Sequence, residues 1–210
     1  MKNNILVVGA GGHCRVVLSI ISHYKSLDVV GIADRKKGNT SEQILGTEVK
    51  YSWDDFQTVY DQGVAQAAIA VGDNEERKNL MIRLKEIGFT IKSLIHPTAL
   101  IDNSVKIGSG STICMGVKIG PLVTLGDNCI IYTGTIIDHE VAIDDNCFLA
   151  PGVCIAGRVK INSGAFLGIG SRVKEEVTIG RDSVIGAGAV VIKDILPNRV
   201  VAGIPAKELS

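Results

Sequence analysis

Aromatic residues are scarce in this chain: they make up 4% of it, with a single tryptophan. A large aromatic core is therefore excluded, and the interior must be assembled from aliphatic and small side chains. Excess charge of either sign is also missing, since 22 Lys and Arg balance 22 Asp and Glu. That balance argues against an electrostatic grip on nucleic acid or an anionic membrane. No run of about 18 apolar residues occurs, so no membrane span is expected. The five cysteines are odd in number and lack CxxC spacing, which points to reduced thiols and a cytoplasmic protein. The apolar run near the N-terminus breaks into glycines after Val8 and reads as a strand entering a turn rather than a signal peptide.

Glycine, by contrast, is plentiful, with 24 in 210 residues, so the chain must turn often. Its pattern changes partway along. Residues 1–94 alternate strand-like segments (Ile5–Val8, Asp28–Ala33, Ala67–Val71) with helix-like ones (Val16–Ser26 and the amphipathic Glu75–Gly88). A further strand, Thr90–Ile95, leads out, while residues 35–50 and 52–64 read as loop plus one short helix. This alternation predicts a small Rossmann-like α/β domain with a parallel sheet.

Residues 95–210 follow another rule. From Ile101 to Val191 a large apolar residue returns every six positions, sixteen times, as in Ile113, Ile119, Leu125, Ile131 and Ile137. A small or β-branched residue follows four places later, such as Val117, Cys129, Cys147 and Ala165, and glycine often follows the large one directly, as in Gly108, Gly120 and Gly168. A hexad repeat of this kind predicts a parallel β-helix: each hexad forms one face of a triangular prism, and three hexads form a coil. Large residues point inward, small ones fill corners, and glycine or asparagine takes the turns. Cys129 and Cys147 fall on the small-corner register, which makes them packing residues rather than reactive thiols.

The repeat holds one histidine, His139, at the third hexad position, which is outward-facing and near a turn. An imidazole with its usual pKa near 6.5 offers a neutral base at physiological pH; the competing reading is a plain surface histidine. Gly157 lies 18 residues on, at the same place on the next coil, about one strand spacing away. Its missing side chain leaves room for a thioester beside the imidazole, and its N–H could stabilise an oxyanion. An ordinary turn glycine is the alternative. Glu140 follows His139, and a flat strand would send the two to opposite faces, so any pairing between them requires a turn at 138–141.

The hexads, DHE at 138–140, AGRVKI at 156–161, IGAGAVV at 185–191 and AGIPAK at 202–207 resemble one family, as do GAGGH at 9–13 and AVGDNEERK at 70–78. It is the group of bacterial sugar O-/N-acyltransferases typified by the N-acetyltransferases of bacillosamine and perosamine biosynthesis, with the sialic acid O-acetyltransferases a similar branch. The resemblance implies a left-handed solenoid, a homotrimer, acetyl-CoA bound between neighbouring solenoids, and a nucleotide-linked amino sugar held by the N-terminal domain. It implies catalytic roles for His139, Glu140 and Gly157, with Glu140 hydrogen-bonded to the imidazole. It places cofactor contacts at Gly157, Ile169 and Ala187, with AGIPAK lining the exit. Phe148 stands where the relative sharing DHE has a histidine, so that cofactor contact does not carry over.

The turn GAGGH follows a strand and precedes a helix, the setting for an anion at a helix N-terminus, but it lacks the third glycine of a dinucleotide fingerprint. The resemblance assigns sugar-nucleotide contacts to Gly11, Gly12 and His13, and to Asp34 at the end of the second strand. Arg35 replaces a second acidic residue there, and Gly72 lets the backbone approach the ligand. Asp73, Asn74 and Arg77 read as supports for the helix that follows. The expected reaction is acetyl transfer from acetyl-CoA to the 4-amino group of a UDP-, dTDP- or GDP-linked amino-dideoxy sugar for a bacterial glycan. Sialic acid O-acetylation is the close alternative and a non-enzymatic scaffold a distant one. No metal is expected: a metal-dependent lyase on this solenoid needs three converging histidines, and the repeat has one.

Overall fold

A computed structural model describes residues 3–35 and 42–209, which fall into two compact units, Met1–Leu94 and Ile95–Ser210. The first unit is an α/β layer. Strand β1 (Asn3–Val8) lies centrally, flanked by β2 (Leu27–Asp34) and β5 (Gln66–Ile69), both parallel to it. The full order is β3-β4-β2-β1-β5-β6, with β3 (Gln43–Ile44), β4 (Thr47–Ser52) and β6 (Thr90–Ile91). The uninterrupted apolar run Ile5–Val8 suits a central strand covered on both faces, and all four residues are fully buried.

Helix α1 (Gly12–Ile21) begins four residues earlier than its periodicity predicts and ends five earlier. The glycine turn supplies its start, with Gly11 in an extended N-cap conformation, and the polar stretch after Ile21 leaves through successive turns closed by His23 N–H to Ile20 O and Tyr24 N–H to Ile21 O. Residues 42–50, read from sequence as loop, instead contain a β3–β4 hairpin, and the 36–41 part of that loop lies outside the described residues. Leu45 and Gly46 both take positive φ (48° and 79°), the pattern of a tight hairpin turn. Helix α2 (Phe56–Asp61) is the short helix expected within 52–64. Helix α3 (Asn74–Ile87) buries Arg77, Leu80, Met81 and Leu84, a stripe at i, i+3, i+4 and i+7. Asp73 caps it, accepting from Glu76 N–H at 2.8 Å, and Gly88 ends it in the left-handed region at φ 115°. The strand expected over 90–95 is split into Thr90–Ile91 and Leu94–Ile95.

The second unit is a left-handed parallel β-helix with three sheets as its faces. Sixteen two-residue strands recur at six-residue intervals from Leu100–Ile101 to Val190–Val191. Each pairs in parallel with the strand 18 residues away, as Ile119 with Ile137 and Ile137 with Ile155. The hexad residues from Ile113 to Val191 are all buried, and the small residues four places later, including Cys129 and Cys147, fill the corners. A hydrogen bond with Cys129, and then burial, push the Cys147 thiol well above its usual pKa, as befits an inert packing residue. After the last hexad, Val200–Ala202 extends one face and Lys207–Glu208 folds back antiparallel on it. Ile95 is already in register, since His96 N–H donates to Ile113 O at 2.8 Å.

The turns differ from expectation in one respect. Glycines directly after the large residue do not supply the left-handed turns; that conformation falls two residues later, at Gly116, Gly134, Gly152, Gly170 and Gly188 on one corner. The earlier glycines serve close stacking. An ideal Cβ on Gly168 would come 2.7 Å from Ala187 N, and one on Gly120 3.1 Å from the Asp138 carbonyl carbon.

Candidate active site

From residue 110 to residue 188 each of the three corners has one left-handed residue per coil. One corner uses only glycine, and a second uses Gly110, Asn128, Asn146, Gly164 and Asp182. These are residues that enter this region at little cost. The third corner departs from the rule: Leu122, Glu140, Arg158 and Glu176 take φ of 60°, 56°, 59° and 63°. For such side chains the left-handed conformation costs about 1–2 kcal/mol each. His139 sits at this corner.

The strained turn gives Glu140 the direction that a flat strand would deny it. Its carboxylate comes round to the side of His139, and Nδ1 of the ring lies 2.9 Å from Oε2. A carboxylate only accepts, so Nδ1 donates to Glu140, and in a neutral ring the lone pair is on Nε2. The His139 backbone is held as well: its N–H donates to Asp138 Oδ1 at 2.8 Å and its carbonyl accepts from Arg158 N–H at 3.0 Å. The His139 and Glu140 side chains are 41% and 49% exposed, so the pair is fixed in place yet accessible.

Gly157 lies beneath the ring. An ideal Cβ there would sit 2.6 Å from both Cε1 and Nε2 of His139. The missing side chain thus makes room for the imidazole itself. Among the described residues no hydrogen bond uses the Gly157 N–H.

Ile169 and Ala187 are not brought to this corner. They stack on each other one coil apart, with Gly188 N–H donating to Ile169 O at 2.8 Å, at the all-glycine corner across one face of the prism. Six residues separate the two corners along a coil, about 20 Å of extended chain at most. Ile169 is 58% exposed, an unusual position for a large aliphatic residue. Phe148 stacks on Phe166, with centroids 5.0 Å apart, and leans on Tyr132 at 5.4 Å. At the C-terminal end a cleft of about 400 Å³ is lined in part by Lys193, Arg199, Pro205, Ala206 and Lys207 of the closing segment.

In the first unit, α1 carries the chain from β1 to β2 on one side, while β5 lies on the other. The loops after β1 and β5 therefore lie side by side at the carboxyl ends of the strands, the place where open α/β sheets bind ligands. Gly9 (φ 110°) allows those loops to meet, since a Cβ there would come 2.7 Å from Val71 Cγ2. Gly11 and Gly12, by contrast, face open space, with nothing within 4 Å of a hypothetical Cβ. His13 does not share that open face: it is 6% exposed, and burial, then the Arg77 cation, lower its pKa to about 4. Asp34 ends β2 half-buried. Arg35 binds Glu76 with two of its nitrogens and lies over the Trp53 ring at 5.7 Å. Arg77, 1% exposed, donates to Gly72 O at 2.9 Å and Asn74 Oδ1 at 2.7 Å, so it fixes the loop that carries Gly72.

Arg158 and Glu176 join the histidine corner, although sequence reasoning did not single them out. Their signal was the 18-residue spacing Glu140–Arg158–Glu176 at hexad positions that hold glycine, asparagine or aspartate on the other corners.

Among the described residues no helix is long and apolar enough to cross a membrane. Residues 4–84 match the PglD N-terminal domain family, and residues 158–193 the bacterial transferase hexapeptide family (six repeats). No curated protein matches the chain. Among solved structures, a variant of GDP-perosamine N-acetyl transferase from Caulobacter crescentus, in complex with CoA and GDP-perosamine, is 32% identical. It covers 100% of this chain and 98% of its own, with a TM-score of 0.94. The acetyltransferase domain of PglB from Neisseria gonorrhoeae, in complex with acetyl coenzyme A, is 27% identical over 100% of both chains, with a TM-score of 0.90. WeeI from Acinetobacter baumannii, 23% identical over 99% of this chain and 100% of that one, shares the fold with a TM-score of 0.82.

Proposed function

The chain belongs to the PglD-like hexapeptide-repeat N-acetyltransferase family, and from that premise we propose that it transfers acetyl from acetyl-CoA to the 4-amino group of a nucleotide-linked amino-dideoxy sugar, with His139 as general base. The observation that carries this reading is the pairing of His139 with Glu140 through a left-handed turn, over a glycine. A costly backbone conformation that aims one side chain at another is a mark of a working site.

Acetyl-CoA supplies a thioester carbonyl open to attack by an amine. Glu140 accepts from Nδ1–H, fixes the tautomer and stabilises the imidazolium that forms. Nε2 of His139 takes the proton from the amine nitrogen as its lone pair attacks the carbonyl carbon. The Gly157 N–H stabilises the negative charge that develops on the carbonyl oxygen. As the carbon–sulfur bond breaks, His139 returns the proton to sulfur, and the products are the amide and free CoA.

In this reading Gly11, Gly12, Asp34 and Gly72 receive the nucleotide-sugar at the carboxyl edge of the first unit's sheet. Arg35 and the buried His13 shape that edge. Ile169 and Ala187 contact the cofactor from the other corner of the prism. A cofactor that touches both corners is best served by two solenoids side by side, one giving His139 and the other Ile169 and Ala187, which supports a homotrimer.

The test is release of free CoA from acetyl-CoA with UDP-, dTDP- and GDP-linked 4-amino-4,6-dideoxy sugars, beside free and CMP-linked sialic acid. Turnover is expected with one nucleotide amino sugar, reduced about 10²–10⁴-fold in His139→Asn without loss of assembly. Turnover only with a sialic acid would overturn the acceptor assignment.

A further inference from the structure

Resting on the assignment of His139 as base, we infer that Arg158 is the positioning residue of the catalytic pair and that Glu176 anchors it. Glu140, Arg158 and Glu176 occupy the same place on three successive coils, each at a left-handed φ. Arg158 reaches both members of the pair. Its backbone N–H donates to His139 O at 3.0 Å, and its Nη1 lies 3.9 Å from Glu140 Oε2, the same oxygen that holds the His139 ring.

The guanidinium is itself fixed. Nε and Nη2 both bind Glu176 Oε1, at 3.0 and 2.9 Å, which leaves Nη1 directed at Glu140. The Glu176 backbone N–H in turn donates to Gly157 O at 3.1 Å, so the same coil that anchors the arginine anchors the glycine under the imidazole. Charges alternate along the column, negative, positive, negative, and a planar fork suits two carboxylates better than an ammonium would.

The side chains of Arg158, Glu140 and Glu176 are about half exposed, at 51%, 49% and 64%. Ion pairs at such exposure contribute little to stability. Leu122 takes the same left-handed turn at this corner without joining the column, so it is the side-chain contacts, not the turn itself, that set these three apart. Their common result is the orientation of one carboxylate oxygen against Nδ1 of His139. Arg158 touches neither acceptor nor acyl group in this scheme, and acts through Glu140.

The experiment is steady-state kinetics on the full-length enzyme with the acceptor found by the CoA-release assay, comparing Arg158→Met, Glu176→Gln, Glu140→Ala, the double variant of 140 and 158, and His139→Ala. Arg158→Met is expected to lower kcat about 3- to 10-fold, with KM for acetyl-CoA and acceptor unchanged. Glu176→Gln should show a weaker form of the same loss. In the Glu140→Ala background, Arg158→Met should cause no further loss; with Glu140 present, Arg158→Lys should retain more activity than Arg158→Met but less than wild type. Undiminished kcat in Arg158→Met while His139→Ala is impaired would overturn the inference and leave the base standing. A full Arg158→Met effect that persists without Glu140 would overturn it too, since the arginine would then act elsewhere. Wild-type turnover in His139→Ala would remove the base, and the positioning role with it.

Discussion

Gly157 lies under the imidazole of His139, close enough that a single methyl on its Cα would come within 2.6 Å of Nε2 and Cε1. The two residues are 18 positions apart, so their contact is a product of coil register, and any side chain at 157 must evict the ring. Gly157→Ala is expected to keep the secondary structure and thermal midpoint near those of the wild type. It should lower kcat by about 10²-fold, as ångström-scale misplacement of a catalytic group does. Kinetics beside circular dichroism check it; kcat within twofold of wild type would mean that the ring works equally well elsewhere.

Asp34 ends β2 at the same carboxyl edge of the sheet as the loops after β1 and β5. Asp34→Ala should raise KM for the nucleotide-sugar about tenfold, the loss of one charge-assisted hydrogen bond. KM for acetyl-CoA should not move. A parallel rise in both constants would contradict a division of substrates between the two units.

His13 makes folding sensitive to acid. Burial, and then Arg77, depress its pKa from 6.5 to about 4, so between those values the unfolded chain binds a proton that the folded chain refuses. Stability from this source is present above about pH 6.5 and is lost as pH falls toward 4. It amounts to about 2 kcal/mol between pH 7 and 5. Urea midpoints at the two pH values should separate less in His13→Gln than in wild type, and an equal separation would remove His13 as the sensor.

Asp73 caps α3 through Glu76 N–H. Asp73→Ala should cost about 1 kcal/mol of stability, and Asp73→Asn should recover most of it, because asparagine caps equally well. Urea unfolding measures both. An equal loss from Asn and from Ala would indicate that the charge, not the cap, matters at this position.

The solenoid was legible because its periodicity is a direct record of burial: each large residue from Ile113 to Val191 that the six-step register points inward is inside. The need for a turn between His139 and Glu140 was also legible, since neighbours on a strand diverge. What escaped was backbone conformation. Nothing in the letters Glu140, Arg158 and Glu176 announces a positive φ, because those residues enter the left-handed region only when the coils above and below hold them there. The β3–β4 hairpin escaped for a similar reason: Leu45 stands where asparagine or glycine would have signalled the turn. The start of α1 was missed because glycines at 11 and 12 look like breakers, although they form the N-terminus of the helix.

The strict register of the β-helix makes it behave like text in a reading frame. Six residues are the letter spacing that keeps apolar side chains inside; 18 are the word length that returns a residue to the same corner. Loss of one hexad between Val141 and Ala156 would leave a continuous core but rotate everything downstream by about 120°, onto another face of the prism. Gly157 would leave the ring above it, and Arg158 would lose Glu140. Gain or loss of a whole coil outside 137–176 would preserve both. The histidine corner is thus vulnerable to indels that the fold itself survives, and length variation in such a chain should come in steps of eighteen.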